Sequence, residues 1–162
     1  MNKSVVRSSF RSKRARISDR MELQYGFCAK FAEVGPDGYF AVFGGGLDKV
    51  AATQVPAVVQ SMALLIHLTL DRKDIQSEHK IRVDLFSPKN ERLPLDMEFP
   101  LPQVTETSLP DLPISISCAL TLGNVIYPEF GEYNFRISTD GRQLGSIRLF
   151  VIAQETQQGG VQ

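Results

Sequence analysis

The chain has 162 residues, of which 43% are hydrophobic and 22% charged, and these values are typical of one globular domain. A chain of this length buries enough surface to fold without a metal ion or a disulfide. No apolar run approaches the roughly 20 residues of a membrane span, and the N-terminus lacks the apolar stretch of a signal peptide. We therefore expect a cytoplasmic protein with no membrane contact.

The formal net charge of zero hides an uneven distribution. Residues 1–20 carry seven basic side chains and one acid, a net charge of +6, so residues 21–162 carry −6. This segment has too few bulky apolar groups to offset the entropy of ordering it. We predict a disordered basic arm over residues 1–22, whose candidate contacts with nucleic acid or another anion are Arg7, Arg11, Lys13, Arg14, Arg16 and Arg20.

The first regular elements after the arm form a predicted β-hairpin. Tyr25, Phe27, Ala29 and Phe31 alternate with smaller or polar residues, and a Gly-Pro-Asp-Gly turn at 35–38 leads into a second strand at 39–43. Three consecutive glycines, 44–46, then precede a short strand predicted over 49–55. The segment 59–70 is ambiguous, because its first residues fit a helical turn or two; its alternation favours a strand from Ala63.

Shorter strands follow. Ile81, Val83 and Leu85 alternate with charged residues, and a short strand at 95–99 lies among prolines, which cannot donate to a sheet ladder. We predict an edge strand there, followed by a surface loop from Leu101 to Pro113. Segment 114–122 has the clearest alternation, and two further strands, around 133–138 and 147–151, flank an Asp-Gly turn.

Eight or nine strands with little helix predict an all-β fold, an antiparallel two-sheet β-sandwich. We place the sandwich domain at residues 23–153 and a flexible C-terminal tail at 154–162. The predicted core consists of Phe27, Leu64, Ile66, Val83, Ile116, Cys118, Leu120, Phe135 and Leu149.

The two cysteines and two histidines offer little chemistry. Cys28 and Cys118 both lie in predicted strands, where an inter-sheet disulfide is conceivable, but in a reducing compartment we expect two free buried thiols. His67 as a base for Cys28 requires the two strands to adjoin, and we favour an ordinary position for it on a strand face. His79 has no metal-ligand spacing to a cysteine or an acidic pair.

The glycines and scattered acids also have simpler explanations. Gly44-Gly45-Gly46 suggests a phosphate loop, but such a loop needs a helix directly after it, and a strand is predicted there. We expect a bulge or crossover between sheets instead. Asp71, Asp74, Glu78 and Asp84 lie beside basic residues and are expected to form a solvated loop. We predict no catalytic residue, no cofactor and no metal.

Several motifs together resemble a known family. They are Phe43-Gly44-Gly45-Gly46-Leu47-Asp48 after the first hairpin, Pro56 ahead of Ala63-Leu64-Leu65, and Tyr127-Pro128 followed by Gly131, Tyr133 and Phe135. Over 25–151 the chain resembles a family of uncharacterised bacterial β-sandwich proteins, a domain of unknown function. The resemblance implies the sandwich fold and a bacterial or phage origin, and it implies no activity. The basic arm lies outside it.

Two functions from different classes remain open, and we expect neither to be enzymatic. The first is a non-catalytic interaction module that docks a protein partner through sheet edges and loops in a multiprotein assembly. The alternative is nucleic-acid binding through the arm, whose arginines would neutralise phosphates. An enzyme would require residues distant in sequence to converge in an active site. If the arm serves only as a solubilising tail, it has no binding partner.

Overall fold

A computed structural model describes residues 21–102 and 113–155, and these residues form nine strands and one helical turn. Residues 1–20 of the predicted arm, most of the predicted loop at 101–113 and most of the C-terminal tail lie outside the described residues. The last two residues of the predicted arm belong to the domain instead, because Met21 is buried and Glu22 begins the first strand. The elements are β1 (Glu22–Val34), β2 (Phe40–Gly45), β3 (Lys49–Ala52), β4 (Ala57–Leu70), α1 (Arg72–Ile75), β5 (Lys80–Phe86), β6 (Arg92–Pro100), β7 (Ile114–Tyr127), β8 (Gly131–Thr139) and β9 (Arg142–Ala153). No described helix is long and apolar enough to cross a membrane.

The strands form two sheets that face each other across a shared core. Sheet A has four strands in the order β2-β1-β4-β7, and sheet B has five in the order β3-β9-β8-β5-β6. The all-β, sandwich-like fold predicted from the sequence is therefore confirmed. One detail of that prediction is wrong: β3 runs parallel to β9, whereas the other paired strands are antiparallel. Because β3 arrives by a crossover from sheet A rather than through a hairpin, no tight turn forces it to run antiparallel.

The glycines at the end of β2 make this crossover. Gly44 and Gly46 have φ angles of +60° and +73°, a region that residues with a Cβ rarely adopt. At Gly44 an added Cβ would also lie 2.8 Å from Cγ of Lys30. The expected crossover is confirmed, and the element that follows is a strand, so the glycines lack the helix that a phosphate loop requires.

The main core fills the space between the sheets with residues that alternate along each strand. In sheet A, β4 turns Leu64, Ile66 and Leu68 inward, and in sheet B the inward residues include Val83 and Phe135. All of these side chains are fully buried. Of the nine predicted core residues seven are buried in this cluster: Leu64, Ile66, Val83, Ile116, Cys118, Phe135 and Leu149.

Leu120 and Phe27 depart from the predicted core in different ways. Leu120 faces the main core but is only partly buried, because β7 is at the edge of sheet A. Phe27 lies on the opposite face of sheet A, and the inward positions of β1 belong to Gly26 and Cys28. An irregularity between Leu23 and Tyr25 sets this register, and Gly26 fits there because its Cα approaches Ile147 of sheet B too closely for a side chain.

A second, smaller core lies on the outer face of sheet A. Leu65 and Ala63 of β4 are buried there with Ala29 and Ala32 of β1, and Val42 of β2 packs against them. Residues 63 and 65 alternate with the inward residues 64 and 66, so they must point away from sheet B. Their burial therefore requires the β1–β2 hairpin to curl over the outside of its own sheet.

The remaining strands are present, most of them with longer boundaries than predicted, whereas β3 ends at Ala52 rather than at residue 55. The ambiguous segment is strand throughout, since β4 runs from Ala57 to Leu70 and pairs with β7 over its whole length. The proline-rich β6 is an edge strand of sheet B, as predicted.

Candidate functional site

The six basic residues predicted to contact an anion, Arg7, Arg11, Lys13, Arg14, Arg16 and Arg20, lie outside the described residues. The structure does show where the arm joins the sandwich. Met21 is 2% exposed, and Nη2 of Arg142 donates a 2.7 Å hydrogen bond to its carbonyl oxygen. The chain is therefore fixed to the first residue of β9 directly after residue 20.

Cys28 and His67 do not form a catalytic pair. Cys28 lies opposite Leu64 and faces the main core, whereas His67 lies opposite Tyr25 on the outer face of sheet A. Both cysteines are buried and free, as predicted. Burial raises the pKa of the Cys28 thiol to about 12 and that of Cys118 to about 11, so neither thiol ionises to a nucleophile near neutral pH.

His67 instead belongs to a row of three side chains across sheet A. Its ring stacks on Tyr25 with a centroid distance of 4.6 Å, and its Nδ1 lies 2.9 Å from Oγ of Ser117. Burial lowers the pKa of His67, so the ring is neutral at pH 7 and packs as a polar member of the sheet face.

A cleft of about 830 Å³ lies beside the β4–β5 connection. Nδ1 of His79 is 2.6 Å from Oδ2 of Asp140, and its buried Nε2 is 3.9 Å from Oδ1 of Asp74. Because Asp140 lies in the β8–β9 turn, this contact joins two connections that are 61 residues apart. Within the part of the chain that the structure describes, no group of three or more potential ligands is arranged to hold a metal ion.

One of the acids expected in a solvated loop has a different position. Asp84 lies in β5 and is 16% exposed, with Arg92 Nη2 at 2.6 Å and Arg82 Nε at 3.1 Å. Arg82 also contacts Asp96 of β6 at 2.8 Å. The alternation of β5 turns Asp84 toward the outer face of sheet B, where these ion pairs fasten β5 to the edge strand.

The most unusual surface is the tip of the β1–β2 hairpin, which exposes four aromatic side chains. Phe31 and Phe43 lie directly opposite each other on the two strands and are 49% and 69% exposed. Phe40 is 39% exposed and Tyr39, in the turn, is 78% exposed. Phe31 and Phe43 share one face of the hairpin, and alternation along β2 turns Phe40 to the opposite face, beside Val34. We call the segment that carries Phe31, Tyr39, Phe40 and Phe43 the aromatic hairpin.

The aromatic hairpin has a fixed shape. Hydrogen bonds of 2.8 Å from the Gly35 amide to the Tyr39 carbonyl and of 3.0 Å from the Gly38 amide to the Gly35 carbonyl close its turn. The Tyr39 amide also donates to the Asp37 side chain at 3.1 Å. The second core holds the base of the hairpin, and β2 is an edge strand with an open side among the described residues. This exposure was not predictable from the sequence, because aromatic alternation predicts a buried face as readily as an exposed one.

The long edges of the two sheets differ in their protection. β6 carries Pro94 and Pro100 together with charged Arg92, Asp96 and Glu98, features that discourage pairing with another strand. β7 is 14 residues long and contains no proline and no charged residue. Its only strand neighbour among the described residues is β4.

The chain belongs to a family of unknown function, DUF6941, whose profile matches residues 24–152. The match covers nearly the whole of both sheets and confirms the resemblance to a domain family of unknown function. No curated protein matches the chain significantly.

Proposed function

We propose that this domain is a non-catalytic interaction module, which docks a protein partner in a multiprotein assembly of bacterial or phage origin. The aromatic hairpin is the observation that carries this proposal. Soluble proteins rarely leave several large apolar side chains exposed together unless a partner covers them. Aromatic residues are also the side chains most enriched at the energetic centres of protein interfaces.

The pre-formed turn supports the same function. Binding costs less free energy when the contacting segment is already ordered, and the hairpin is held by its turn hydrogen bonds and by the second core. The open side of β2 adds main-chain donors and acceptors next to the aromatic rings, so an extended partner segment could pair with β2 while its side chains contact Phe40 and Phe43.

The test compares two phenylalanines of equal exposure. Phe40 is 39% exposed on the hairpin, and Phe130 is 40% exposed in the β7–β8 turn, outside the hairpin. Full-length protein and its Phe40→Ser, Phe43→Ser and Phe130→Ser variants would be used to isolate partners from the native host, before and after nuclease treatment. The partner that survives nuclease would then be produced pure and titrated.

We expect Phe43→Ser to weaken binding by about thirtyfold or more, as truncation of a central aromatic residue typically does. Phe40→Ser should weaken it less, and Phe130→Ser should leave it unchanged. Equal affinity for all four proteins would contradict docking through the hairpin.

The charge distribution favours a second candidate, in which the arm binds nucleic acid. The arm carries a net charge of +6 within 20 residues and joins the domain at the anchored Met21. If all seven basic side chains neutralise phosphates, the logarithm of the affinity for a duplex should fall with the logarithm of salt concentration with a slope of about −6.

The measurement is a titration of a labelled oligonucleotide at two salt concentrations with three proteins. These are the full chain, the chain without residues 1–20, and the full chain with its seven arm Lys and Arg residues replaced by Gln. Binding by the full chain alone supports the arm as a nucleic-acid contact, and equal affinity in all three proteins, or none, removes this candidate.

A further inference from the structure

The edge of β7, which is unpaired among the described strands, is a separate surface from the aromatic hairpin, since β2 and β7 are the two opposite edges of sheet A. The regular part of this edge is the nine-residue segment Ile114–Leu122. It follows Pro113 and is ended by Gly123 and Asn124, where Asn124 has a φ angle of +51°. We call residues 114–122 the β7 edge.

The two faces of the β7 edge differ in character. On the outer face Ser115, Ser117, Ala119 and Thr121 are small and uncharged, whereas the inward face is aliphatic. Leu120 shows that this inward face is incomplete: it is only partly buried, while Leu64, its register partner on β4, is fully buried. A further strand beside β7 would complete the burial of Leu120.

A second copy of the same edge fits this requirement. In an antiparallel pair centred on Cys118, residue 115 lies opposite 121 of the other copy, and residue 116 lies opposite 120. Small polar side chains then meet small polar ones on the outer face, and Ile116 meets Leu120 on the inner face. Because the edge has no charge, two copies meet without like-charge repulsion, and one two-fold axis relates them.

We propose that two copies of this chain associate through antiparallel pairing of their β7 edges, so that the two four-stranded sheets become one continuous sheet of eight strands. The contrast with β6 supports this. The fold protects that edge with prolines and charges and leaves β7 without either, as expected if β7 is covered in solution.

The experiment measures the association of the full-length chain and tests the register directly. Ser115 and Thr121 are exposed, and neither belongs to either buried cluster. In the Ser115→Lys, Thr121→Lys double variant, each lysine would face a lysine of the other copy. In the Ser115→Lys, Thr121→Glu double variant, each lysine would face a glutamate, but only if residue 115 lies opposite 121. Tyr39→Ser, an exposed change on the aromatic hairpin, is the control.

Sedimentation velocity from about 1 µM to about 500 µM covers the range of weak to moderate interfaces. We expect a concentration-dependent dimer for the unmodified chain and for Tyr39→Ser, at least a tenfold weaker dimer for the Lys/Lys variant, and recovery of the dimer in the Lys/Glu variant. Circular dichroism and thermal unfolding confirm that each variant is folded.

A chain that stays monomeric at every concentration would overturn the proposal. A dimer that the Lys/Lys variant leaves intact would overturn it as well, because the copies would then meet through another surface. A dimer that the Lys/Glu variant fails to restore would overturn the register centred on Cys118. None of these results affects docking through the aromatic hairpin, which has its own variants.

Discussion

Replacement of Leu65 by Ala tests whether the β1–β2 hairpin is fastened to the rest of the fold by the second core. Leu65 is fully buried, and the other buried members of this cluster are Ala29, Ala32 and Ala63. Alanines have no rotamers with which to fill a void, so the cavity left by the leucine should collapse little. Loss of the buried methyl and methylene groups together with an unfilled cavity gives an expected cost of about 3 kcal/mol.

Leu64 provides a matched control, because it is the adjacent residue of the same strand and is equally buried, but faces the main core. When the hairpin alone opens, the contacts of Leu65 are lost and those of Leu64 are kept. Leu65→Ala should therefore lower the free energy of both hairpin opening and global unfolding. Leu64→Ala should lower the free energy of global unfolding alone.

Hydrogen exchange of individual amides separates the two cases. In Leu65→Ala the amides of the hairpin, residues 31–43, should exchange about a hundredfold faster, as about 3 kcal/mol implies. In Leu64→Ala these amides should keep their rates, while the amides of β8 in sheet B become less protected. If Leu64→Ala accelerated exchange of the hairpin amides and Leu65→Ala did not, the conclusion that the second core attaches the hairpin to the fold would be wrong.

Three further predictions concern the two buried faces of sheet A. Gly26→Ala should destabilise the protein by about 1–3 kcal/mol in urea unfolding, because the new Cβ would lie 2.7 Å from Cδ1 of Ile147 and 3.1 Å from the Leu65 carbonyl oxygen. Ile147→Val, which removes that Cδ1, should restore part of the lost stability. If Gly26→Ala left the stability unchanged, the two sheets would have room for a side chain at this position. Burial raises the pKa of Cys28 from 9.0 to about 12, so the unfolded chain releases this proton first and stability should fall as pH rises from about 9 to about 12. Cys28→Ala should reduce this fall and cost on the order of 1 kcal/mol at neutral pH. Identical alkaline stability profiles for the two proteins would contradict Cys28 as a source of the fall. Burial lowers the pKa of His67, so on acidification the unfolded chain takes up this proton before the folded chain does, and stability should decline as pH falls below about 6.5. The stability of His67→Gln should decline less steeply over the same range. An equally steep decline in the variant would exclude His67 as the source of the pH dependence.

Strands with one dry and one wet face were predictable from the sequence. β5 turns Val83 inward between Arg82 and Asp84, and in β8 the buried Phe135 alternates with half-buried polar neighbours. Alternation with a period of two is a direct consequence of strand geometry, so it identified these elements and their inward faces together. The family resemblance pointed to the same fold.

β1 was predicted as a strand but with the wrong face inward. Its large apolar side chains, such as Phe27, alternate with Gly26 and Cys28, and apolar size favoured the first set for the core. The main core needs small residues there because β9 approaches β1 closely, with Ile147 against Gly26. That approach depends on contacts between residues more than a hundred positions apart, which alternation within one strand does not contain.

The contacts around the candidate surfaces were beyond sequence reasoning for the same reason. The pairing of Phe31 with Phe43 follows from hairpin register, but their exposure follows from the curl of the hairpin over the second core. The contact between His79 and Asp140 joins the connections that flank β5 and β8. Neither connection has a motif that predicts the other.

The two proposals have a joint geometric consequence. In sheet A the aromatic hairpin is built on β1 and β2, at one edge, and β7 forms the other edge. If two β7 edges pair, the two hairpins lie at the far ends of one eight-stranded sheet, related by a two-fold axis. Such a dimer would present two equivalent docking surfaces, and a partner displayed in several copies would be held by both at once. The second contact would then form at a high effective concentration, so the unmodified chain should dissociate from an array of partner copies more slowly than the monomeric Lys/Lys variant. Affinity for a single partner copy in solution should be the same for both, because each hairpin binds through its own residues.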